Sequence, residues 1–283
     1  MSIREINFPS ANGRDTIKAW AYTPLGKPRA VIQLIHGFGE HSRRYLHMIS
    51  KFQAAGFVVY ADDHIGHGKT GFDGGTLGDP HSGGYMTYLR DEKYLHDIAH
   101  MAYPDLPFFV FGHSWGSMLG RAYAALYGDD LAGLMLCGLV SQFKGCEIEY
   151  NDPAIRAAVA ADPYQPSGEW FGKVFLGMTD RIENPNGPAD WIAVNPDIVA
   201  DHAGDPFNTF DTTLELVWDL RRAVPLHRES GMGGEGAVRG AGVPHLRRSG
   251  PMRQLRRGAV PCGKPPCGER QQGQRQGVQR LPA

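Results

Sequence analysis

The chain has 283 residues, enough for one α/β core with an inserted segment, and a formal net charge of −1 at pH 7. A charge near zero argues against a nucleic-acid partner, and the lack of any apolar run of about 18 residues argues against a membrane-spanning helix. Because no apolar leader follows Met1, we expect a cytoplasmic protein, for which a transient contact with a membrane surface stays open.

The four cysteines predict free thiols rather than a disulfide framework. Cys262 and Cys267 are spaced C-x4-C, but neither a second pair nor a nearby histidine completes a zinc site. We therefore predict no metal and no cofactor, and we expect Cys137 and Cys146 to be free as well. The sequence predicts no oligomeric state.

Hydrophobic periodicity predicts strands that alternate with helices along the first half of the chain. In chain order these are strands at residues 3–8, 16–22 and 30–35, a helix at 45–52, a strand at 57–61, a glycine-rich loop at 62–68, a helix at 88–102, a strand at 106–111, a helical pattern at 118–126 and a strand at 131–139. This alternation is typical of the α/β class, with a mostly parallel sheet covered by helices on both faces.

The turn after the third predicted strand has the sequence H-G-F-G at residues 36–39. In an α/β sheet, a turn at this place provides one of two backbone N–H groups that bind the negative oxygen formed during acyl transfer. We predict that the Phe38 N–H is this donor. His36 is expected to be a buried histidine that holds the turn by hydrogen bonds.

The most informative motif is G-H-S-W-G at residues 112–116, between a buried strand and a helical pattern. In this place it predicts a nucleophile elbow, a tight turn that exposes a serine hydroxyl above the sheet. Ser114 is therefore the predicted nucleophile, and the Trp115 N–H is the predicted second oxyanion donor. We expect His113 to face away from Ser114 and pack in the core, and His67 to brace its glycine-rich loop.

From about residue 140 the alternation stops, and helical patterns at 154–161, 170–177 and 196–203 predict a helical insertion. An insertion here would cover the carboxyl edge of the sheet, where ligands of open α/β sheets bind. Its apolar residues could line an acyl-binding groove or only pack the insertion onto the core; they are Phe171, Phe175, Leu176 and Met178. The predicted domains are a core at 1–139, a cap at 140–208, a return helix at 209–227 and an atypical tail at 228–283.

Together, H-G-F-G-E-H-S at 36–42, D-H-I-G-H-G at 63–68 and G-H-S-W-G at 112–116 resemble α/β-hydrolases of the monoacylglycerol lipase and lysophospholipase group. The resemblance extends to about residue 225 and includes the cap. It implies a serine carboxylester hydrolase that cleaves monoacylglycerols or lysophospholipids, with Ser114 as nucleophile and Phe38 and Trp115 as oxyanion donors.

Two other functions stay open within this resemblance. Related members are also named serine aminopeptidases, and a peptidase would need an anionic site for a substrate amine, for which Glu40, Asp62 or carboxylates of the cap are candidates. A non-catalytic protein that binds a lipid or another small ligand on the same scaffold is the second alternative.

The end of the chain departs from the family pattern, which places the catalytic acid and base in loops after strands that follow the cap. No aspartate follows Asp219, and no recognisable strand precedes the later carboxylates and histidines. These are Glu229, Glu235, Glu269, His227 and His245. Neither acid nor base can be assigned, so we expect impaired hydrolysis.

The tail also differs in charge and composition. From Arg228 onward it has 11 basic and 3 acidic residues, whereas the preceding part has 18 basic and 27 acidic. Three interpretations are a disordered basic tail, a nucleic-acid arm and an out-of-frame translation of the family's missing end. Read one base later, codons possible for residues 259–265 can spell R-Y-P-A-A-S-H, and those for 273–282 can spell D-N-D-R-E-F-S-D-F-L. These resemble the family's strand end before the catalytic histidine and its last helix, so we favour the frameshift hypothesis.

Overall fold

The structure is a computed structural model that describes residues 2–140 and 153–222. The first part of the predicted cap and the whole predicted tail lie outside the described residues. So do several residues singled out above: Cys146, His227, Glu229, Glu235, His245, Cys262, Cys267 and Glu269. Cys137 lies within them and carries a free, exposed thiol.

A mixed sheet forms the centre of the described part. Its strands are β1 (Ser2–Pro9), β2 (Thr16–Thr23), β3 (Ala30–Ile35), β4 (Phe57–Asp63), β5 (Phe108–His113) and β6 (Gly133–Cys137). They lie in the order β1-β2-β4-β3-β5-β6. β1 and β2 pair antiparallel to their neighbours, and the four strands from β4 to β6 pair in parallel. This confirms the predicted mostly parallel sheet.

Helices cover both faces of the sheet. The described α-helices are α1 (Leu46–Ala54), α2 (Gly68–Gly74), α3 (Met86–Ala102), α4 (Trp115–Tyr127), α5 (Pro153–Ala161), α6 (Glu169–Val174), α7 (Pro196–Gly204) and α8 (Leu214–Arg222). Within the described helices, none has the combination of length and apolarity that crossing a membrane requires.

Successive side chains of β3 point to opposite faces of the sheet, so alternate residues are buried in different clusters. Val31 and Ile35 join the core cluster that contains apolar residues of α3, α4 and α8. Ile32 and Leu34 join a second cluster on the α1 side. Both rows of β3 are therefore buried, as the continuous apolar run predicts for a central parallel strand.

The structure corrects the predicted loop at residues 62–68. β4 continues through Asp63, whose carboxylate accepts hydrogen bonds from the Ser42 N–H at 2.9 Å and the Lys69 N–H at 2.7 Å. The loop is thus shortened to residues 64–67, and the helix α2 begins at Gly68, although its sequence G-K-T-G-F-D-G has low helix propensity. The Asp63 carboxylate at its first turn stabilises this helix by hydrogen bonding and by its charge.

The helix α8 is tied to the loop that precedes α3. Glu215 accepts hydrogen bonds from the N–H groups of Ser82 and Gly83, both at 3.0 Å. Asp219 accepts a short hydrogen bond from the Ser82 hydroxyl and is fully buried. Burial raises the pKa of Asp219 to about 7. The side chain is therefore largely protonated below neutral pH in the folded protein.

This pKa predicts a pH-dependent stability. Between about pH 4 and about pH 7 the folded protein keeps a proton on Asp219 that the unfolded chain releases, so the free energy of unfolding falls as the pH rises through that range. Asp219→Asn removes this contribution, because an amide does not titrate and its oxygen can still accept from Ser82. We expect the variant to gain on the order of 2–4 kcal/mol relative to wild type between pH 4 and pH 8 in urea unfolding.

The exposed Asp129 provides the control for this experiment, since Asp129→Asn makes the same chemical change away from α8. That variant is expected to follow the wild-type pH dependence. If Asp219→Asn also followed it, the proposed proton on Asp219 would be wrong.

Candidate active site

Ser114 lies between β5 and α4 in a strained backbone conformation, with φ of 53° and ψ of −117°. Positive φ is uncommon for a residue with a side chain and clusters at functional sites. The Ser114 N–H donates to the Cys137 carbonyl at 3.0 Å, and its own carbonyl accepts from the Ser117 N–H at 2.9 Å. These two hydrogen bonds hold the turn.

The two flanking glycines explain why the sequence can bend here. A Cβ on Gly112 would overlap the carbonyl group of Gly116, and a Cβ on Gly116 would overlap the carbonyl oxygens of Ile35 and His36. The start of α4 therefore packs directly against the ends of β5 and β3. Only glycine fits at both positions, which is the physical content of the G-x-S-x-G pattern.

The turn after β3 lies beside this elbow. A Cβ built on Gly37 would stand 3.2 Å from the Ser114 Cβ, and Phe38 and Ser114 line one cavity. Within the described residues, neither the Phe38 N–H nor the Trp115 N–H donates a hydrogen bond. Trp115 is the first residue of α4, so its N–H has no acceptor within the helix and lies at the positive end of the helix dipole.

His36 is hydrogen-bonded in the turn after β3, and His67 is hydrogen-bonded within its own glycine-rich loop, as predicted. The buried His36 has Nδ1 at 2.7 Å from the Gly37 carbonyl oxygen, and its Nε2 accepts the His64 N–H at 3.0 Å. Burial, followed by the neighbouring histidines His64 and His67, holds the pKa of His36 well below its usual value, so the ring is neutral. His67 Nδ1 bonds to the Ile65 carbonyl at 3.1 Å, and burial lowers the pKa of His67 to about 3.

The prediction that His113 packs in the core is wrong. Its side chain is 37% exposed, lines the same cavity as Ser114, and places Nδ1 at 3.1 Å from Glu40 Oε1. The reason lies in the position along β5, where buried and half-buried residues alternate. His113 is the last residue of the half-buried row, at the edge of the sheet that faces the cavity.

Two cavities lie on either side of Phe38. The first has a volume of about 650 Å³ and is lined by Ser114 and by polar side chains, among them Glu40, Arg44, Tyr45 and His202. The second has a volume of about 910 Å³, and its wall is about as apolar as that of the first. Phe171 and Phe175 line the second cavity, Met178 lines the first and Leu176 lines both. The structure thus brings all four predicted substrate-binding residues to these cavities.

The described residues contain no partner for the Ser114 hydroxyl. His113 and His202 are the histidines of the ranges 2–140 and 153–222 that line its cavity, and neither forms a hydrogen bond with Ser114. Burial is the largest cause that lowers the pKa of His202, followed by the charge of Arg44, so His202 is neutral. The structure therefore assigns no catalytic base or acid.

One cluster within the described part has the composition of a metal site. Atoms of Asp62, His64 and Glu92 lie within 4.8 Å of one another between β4 and α3. His64 Nδ1 lies 3.2 Å from Asp62 Oδ2, and the Gln33 amide donates to Glu92. Burial, then the charge of Asp62, raises the pKa of Glu92 well above its usual value. A proton on Glu92 thus lowers the negative charge of this cluster.

Comparison with known proteins identifies a family and similar structures. The sequence family described as "Serine aminopeptidase, S33" matches residues 26–227, so the match ends where the atypical tail begins. A monoacylglycerol lipase of Mycolicibacterium smegmatis is 33% identical over 185 residues, which cover 65% of this chain and 58% of that lipase. The matched part therefore spans little more than half of that relative.

Two solved structures are more similar in sequence. A highly thermostable carboxyl esterase from Bacillus coagulans, in complex with glycerol, is 48% identical, with a TM-score of 0.75 over 79% of this chain and 73% of the esterase. A lipase in an open form is 44% identical, with the same TM-score and the same coverage of both chains.

Proposed function

This chain belongs to the serine aminopeptidase family of α/β-hydrolases, and from that premise we propose that it cleaves single-chain lipid esters through an acyl-enzyme on Ser114. The observation that carries the proposal is the conformation of Ser114, a non-glycine residue at φ of 53° between two glycines that close packing requires. Strain of this kind costs on the order of 1–3 kcal/mol and persists where it has a use.

The proposed reaction begins when the Ser114 oxygen attacks the carbonyl carbon of the ester. The carbonyl oxygen becomes an oxyanion, and the N–H groups of Phe38 and Trp115 are the proposed donors to it. Neither has another acceptor among the described residues, and each such donor is worth about 3–4 kcal/mol of barrier. The ester C–O bond then breaks, and the proton of the Ser114 hydroxyl passes to the leaving alcohol through a base that the described residues do not provide. Water then attacks the acyl-enzyme, which releases the fatty acid and returns a proton to Ser114.

The proposed substrates are monoacylglycerols or lysophospholipids. Leu176 and Met178 are proposed contacts for the acyl chain because they line the cavity of about 650 Å³ that Ser114 also lines. Phe171 and Phe175 are proposed contacts in the cavity of about 910 Å³, which shares Phe38 and Leu176 with the first. Phe175 also stacks on Trp191, with ring centroids 5.8 Å apart. The lipase and esterase names of the similar proteins support the same substrate class. In this proposal residues 140–208 act as a cap over the core.

A lipid surface is the natural source of such substrates, so transient contact with a membrane is part of the proposal, as is a location in the cytoplasm. Within the described part of the cap, Leu176, Val194 and Ile198 are exposed apolar side chains. Apolar residues on a cap favour contact with lipid.

We further propose that hydrolysis is impaired in this chain. A serine nucleophile needs a base to take its proton and a carboxylate to orient that base, and the described residues provide neither. The family match stops at residue 227, before any position that could be assigned to these partners. Acylation of Ser114 and hydrolysis of the acyl-enzyme both use this base, so we expect both steps to be slow.

A long-chain alkyl fluorophosphonate tests the nucleophile. We expect slow, stoichiometric labelling of Ser114, detected by mass spectrometry of its peptide, and no labelling of Ser114→Ala. Turnover of 1-monooleoylglycerol is expected to be weak, because water must be activated without an assigned base.

Three outcomes would contradict parts of this proposal. Absence of labelling in the wild-type chain would favour a non-catalytic binding protein on a hydrolase scaffold. Labelling that survives Ser114→Ala would move the nucleophile elsewhere. Full-rate turnover that depends on Ser114 would show that the chain is not impaired, with His227 or His245 as candidate bases.

A serine peptidase is the second candidate, favoured by one observation. Glu40 lines the Ser114 cavity, where an ionised carboxylate could bind a substrate amine, whereas Asp62 is buried between β4 and α3. Of the two carboxylates that the sequence suggested for this role, only Glu40 lines that cavity. Cleavage of amino-acid p-nitroanilides in preference to lipid esters would support this candidate.

A further inference from the structure

Glu40 collects three hydrogen bonds on a single carboxylate oxygen beside the proposed active site. Its Oε1 accepts the Gly37 N–H at 2.5 Å, the Tyr45 hydroxyl at 2.5 Å and a bond with His113 Nδ1 at 3.1 Å. Gly37 directly precedes Phe38, and His113 directly precedes Ser114. One oxygen thus connects the turn after β3 with the nucleophile elbow, which are 73 residues apart in sequence.

The Glu40 side chain is only 13% exposed, yet it stays ionised. Burial raises the pKa of Glu40, but the hydrogen bond and charge of His113, followed by the bonds from Tyr45 and Gly37, lower it by more. The net pKa lies below the usual value for a glutamate. Hydrogen bonds to an ionised acceptor are roughly twice as strong as hydrogen bonds between neutral groups, so Glu40 Oε1 holds Gly37 and His113 strongly.

The peptide groups on both sides of Gly37 are consequently fixed. Glu40 holds the Gly37 N–H, and His36 Nδ1 holds the Gly37 carbonyl at 2.7 Å. His36 Nε2 accepts a hydrogen bond from the His64 N–H, so the ring proton lies on Nδ1, as this arrangement requires. In a trans peptide the carbonyl and the following N–H point in opposite directions. Fixing the Gly37 carbonyl therefore aims the Phe38 N–H away from His36.

Gly37 is closely packed between Glu40 and Ser114. A Cβ on Gly37 would collide with Glu40 Oε1 and stand 3.2 Å from the Ser114 Cβ. The Glu40 carboxylate and the Ser114 side chain therefore both lie close to Gly37. A small displacement of Glu40 must move the turn relative to Ser114.

We propose that Glu40 is a positioning residue that fixes the Phe38 N–H relative to Ser114 by bonding at once to Gly37 and His113. The role rests on the proposed function, in which Phe38 and Trp115 bind the oxyanion. This role differs from binding a substrate, because Glu40 Oε1 already forms hydrogen bonds with Gly37, Tyr45 and His113.

The first test is the rate of Ser114 labelling by the alkyl fluorophosphonate in Glu40→Gln. This variant keeps the shape of the side chain and removes its charge. We expect the labelling rate to fall about 10- to 100-fold, in line with the loss from a misplaced oxyanion donor, with little change in the reagent concentration that half-saturates the reaction. Glu5→Gln makes the same chemical change on the exposed outer strand β1 and is expected to label like wild type.

The partnership with His113 is tested by a double-mutant cycle. If Glu40 acts through His113, then Glu40→Gln and His113→Gln lower the labelling rate by factors that do not multiply, and the double variant is little slower than the slower single variant. If the two factors multiply in the double variant, Glu40 does not act through His113, and that part of the inference is wrong. A thermal melt of each variant within a few degrees of wild type would separate positioning from unfolding.

Amide hydrogen exchange provides a readout that does not depend on catalysis. In Glu40→Gln the Gly37 amide is expected to exchange at least about 10-fold faster, because its acceptor has lost its charge, while amides of the central strand β3 keep their protection. Unchanged exchange at Gly37 overturns the inference even if wild-type Ser114 proves unreactive. Unreactive Ser114 with faster Gly37 exchange overturns the proposed function and leaves the positioning by Glu40 standing.

Discussion

A gene whose reading frame is shifted by one base after about the codon for Ala223 is expected to encode an enzyme on the order of 10³-fold or more faster than the present chain on p-nitrophenyl butyrate. The reason is the non-additivity of a serine triad. A nucleophile without its base and orienting acid keeps only what the oxyanion donors and substrate binding contribute. Restoring both partners at once therefore recovers most of the rate in one step.

Under the frameshift hypothesis, the restored end would add strands beside β6. Among the described strands, β6 pairs with β5 alone, and most of its residues are half-buried where those of β3 are fully buried. The family match also stops at residue 227. A shifted frame that spells R-Y-P-A-A-S-H near residues 259–265 would place a histidine after a strand end, as the family resemblance implies for the base.

The coding DNA gives the first check, because stop codons or a polar, patternless reading in the shifted frame would end the hypothesis. The expressed frame-corrected protein gives the second, by comparing kcat/KM of both chains. Ser114→Ala in the corrected chain is the matched control and is expected to return the rate to that of the present chain. A corrected chain that is no faster would place the cause of impairment elsewhere.

The sequence predicted the central strands well because their signal is local. β3 begins and ends at the predicted residues, because five of its six residues are apolar and the run is followed directly by H-G-F-G. The elbow at Ser114 was equally readable, because the two glycines and the strain belong to five consecutive residues. Local chemistry of this kind is visible in one sequence.

The features that the sequence missed depend on contacts between distant residues. The contact between Glu40 and His113 is one hydrogen bond between residues 73 positions apart, which sequence periodicity cannot predict. The helix α2 forms against its propensity because Asp63 bonds to its first turn, and that bond exists only once β4 has been placed. The only sequence signal for the contact between Glu40 and His113 was that a glutamate directly follows H-G-F-G.

Gly116→Ala is expected to lower the free energy of unfolding by about 1–3 kcal/mol and to slow Ser114 labelling by about 100-fold or more. The added Cβ would overlap the carbonyl oxygens of Ile35 and His36, which are backbone atoms and cannot rotate away. The start of α4 must then move off the end of β3. That movement carries the Trp115 N–H away from the Phe38 N–H. The added methyl group is therefore expected to lower both the free energy of unfolding and the rate of Ser114 labelling.

Gly120→Ala, one turn later in the same helix, separates this steric effect from a general intolerance of alanine in α4. A Cβ there would meet only side-chain atoms of Val110, Leu134 and Leu136 at ordinary contact distances of 3.6–3.7 Å. Alanine is the better helix former by about 1 kcal/mol, so this variant should be as stable as wild type or slightly more stable. The test is to measure the free energy of unfolding in urea and the rate of Ser114 labelling for both variants. Equal behaviour of the two would mean that the close approach of α4 to β3 does not set the position of the nucleophile.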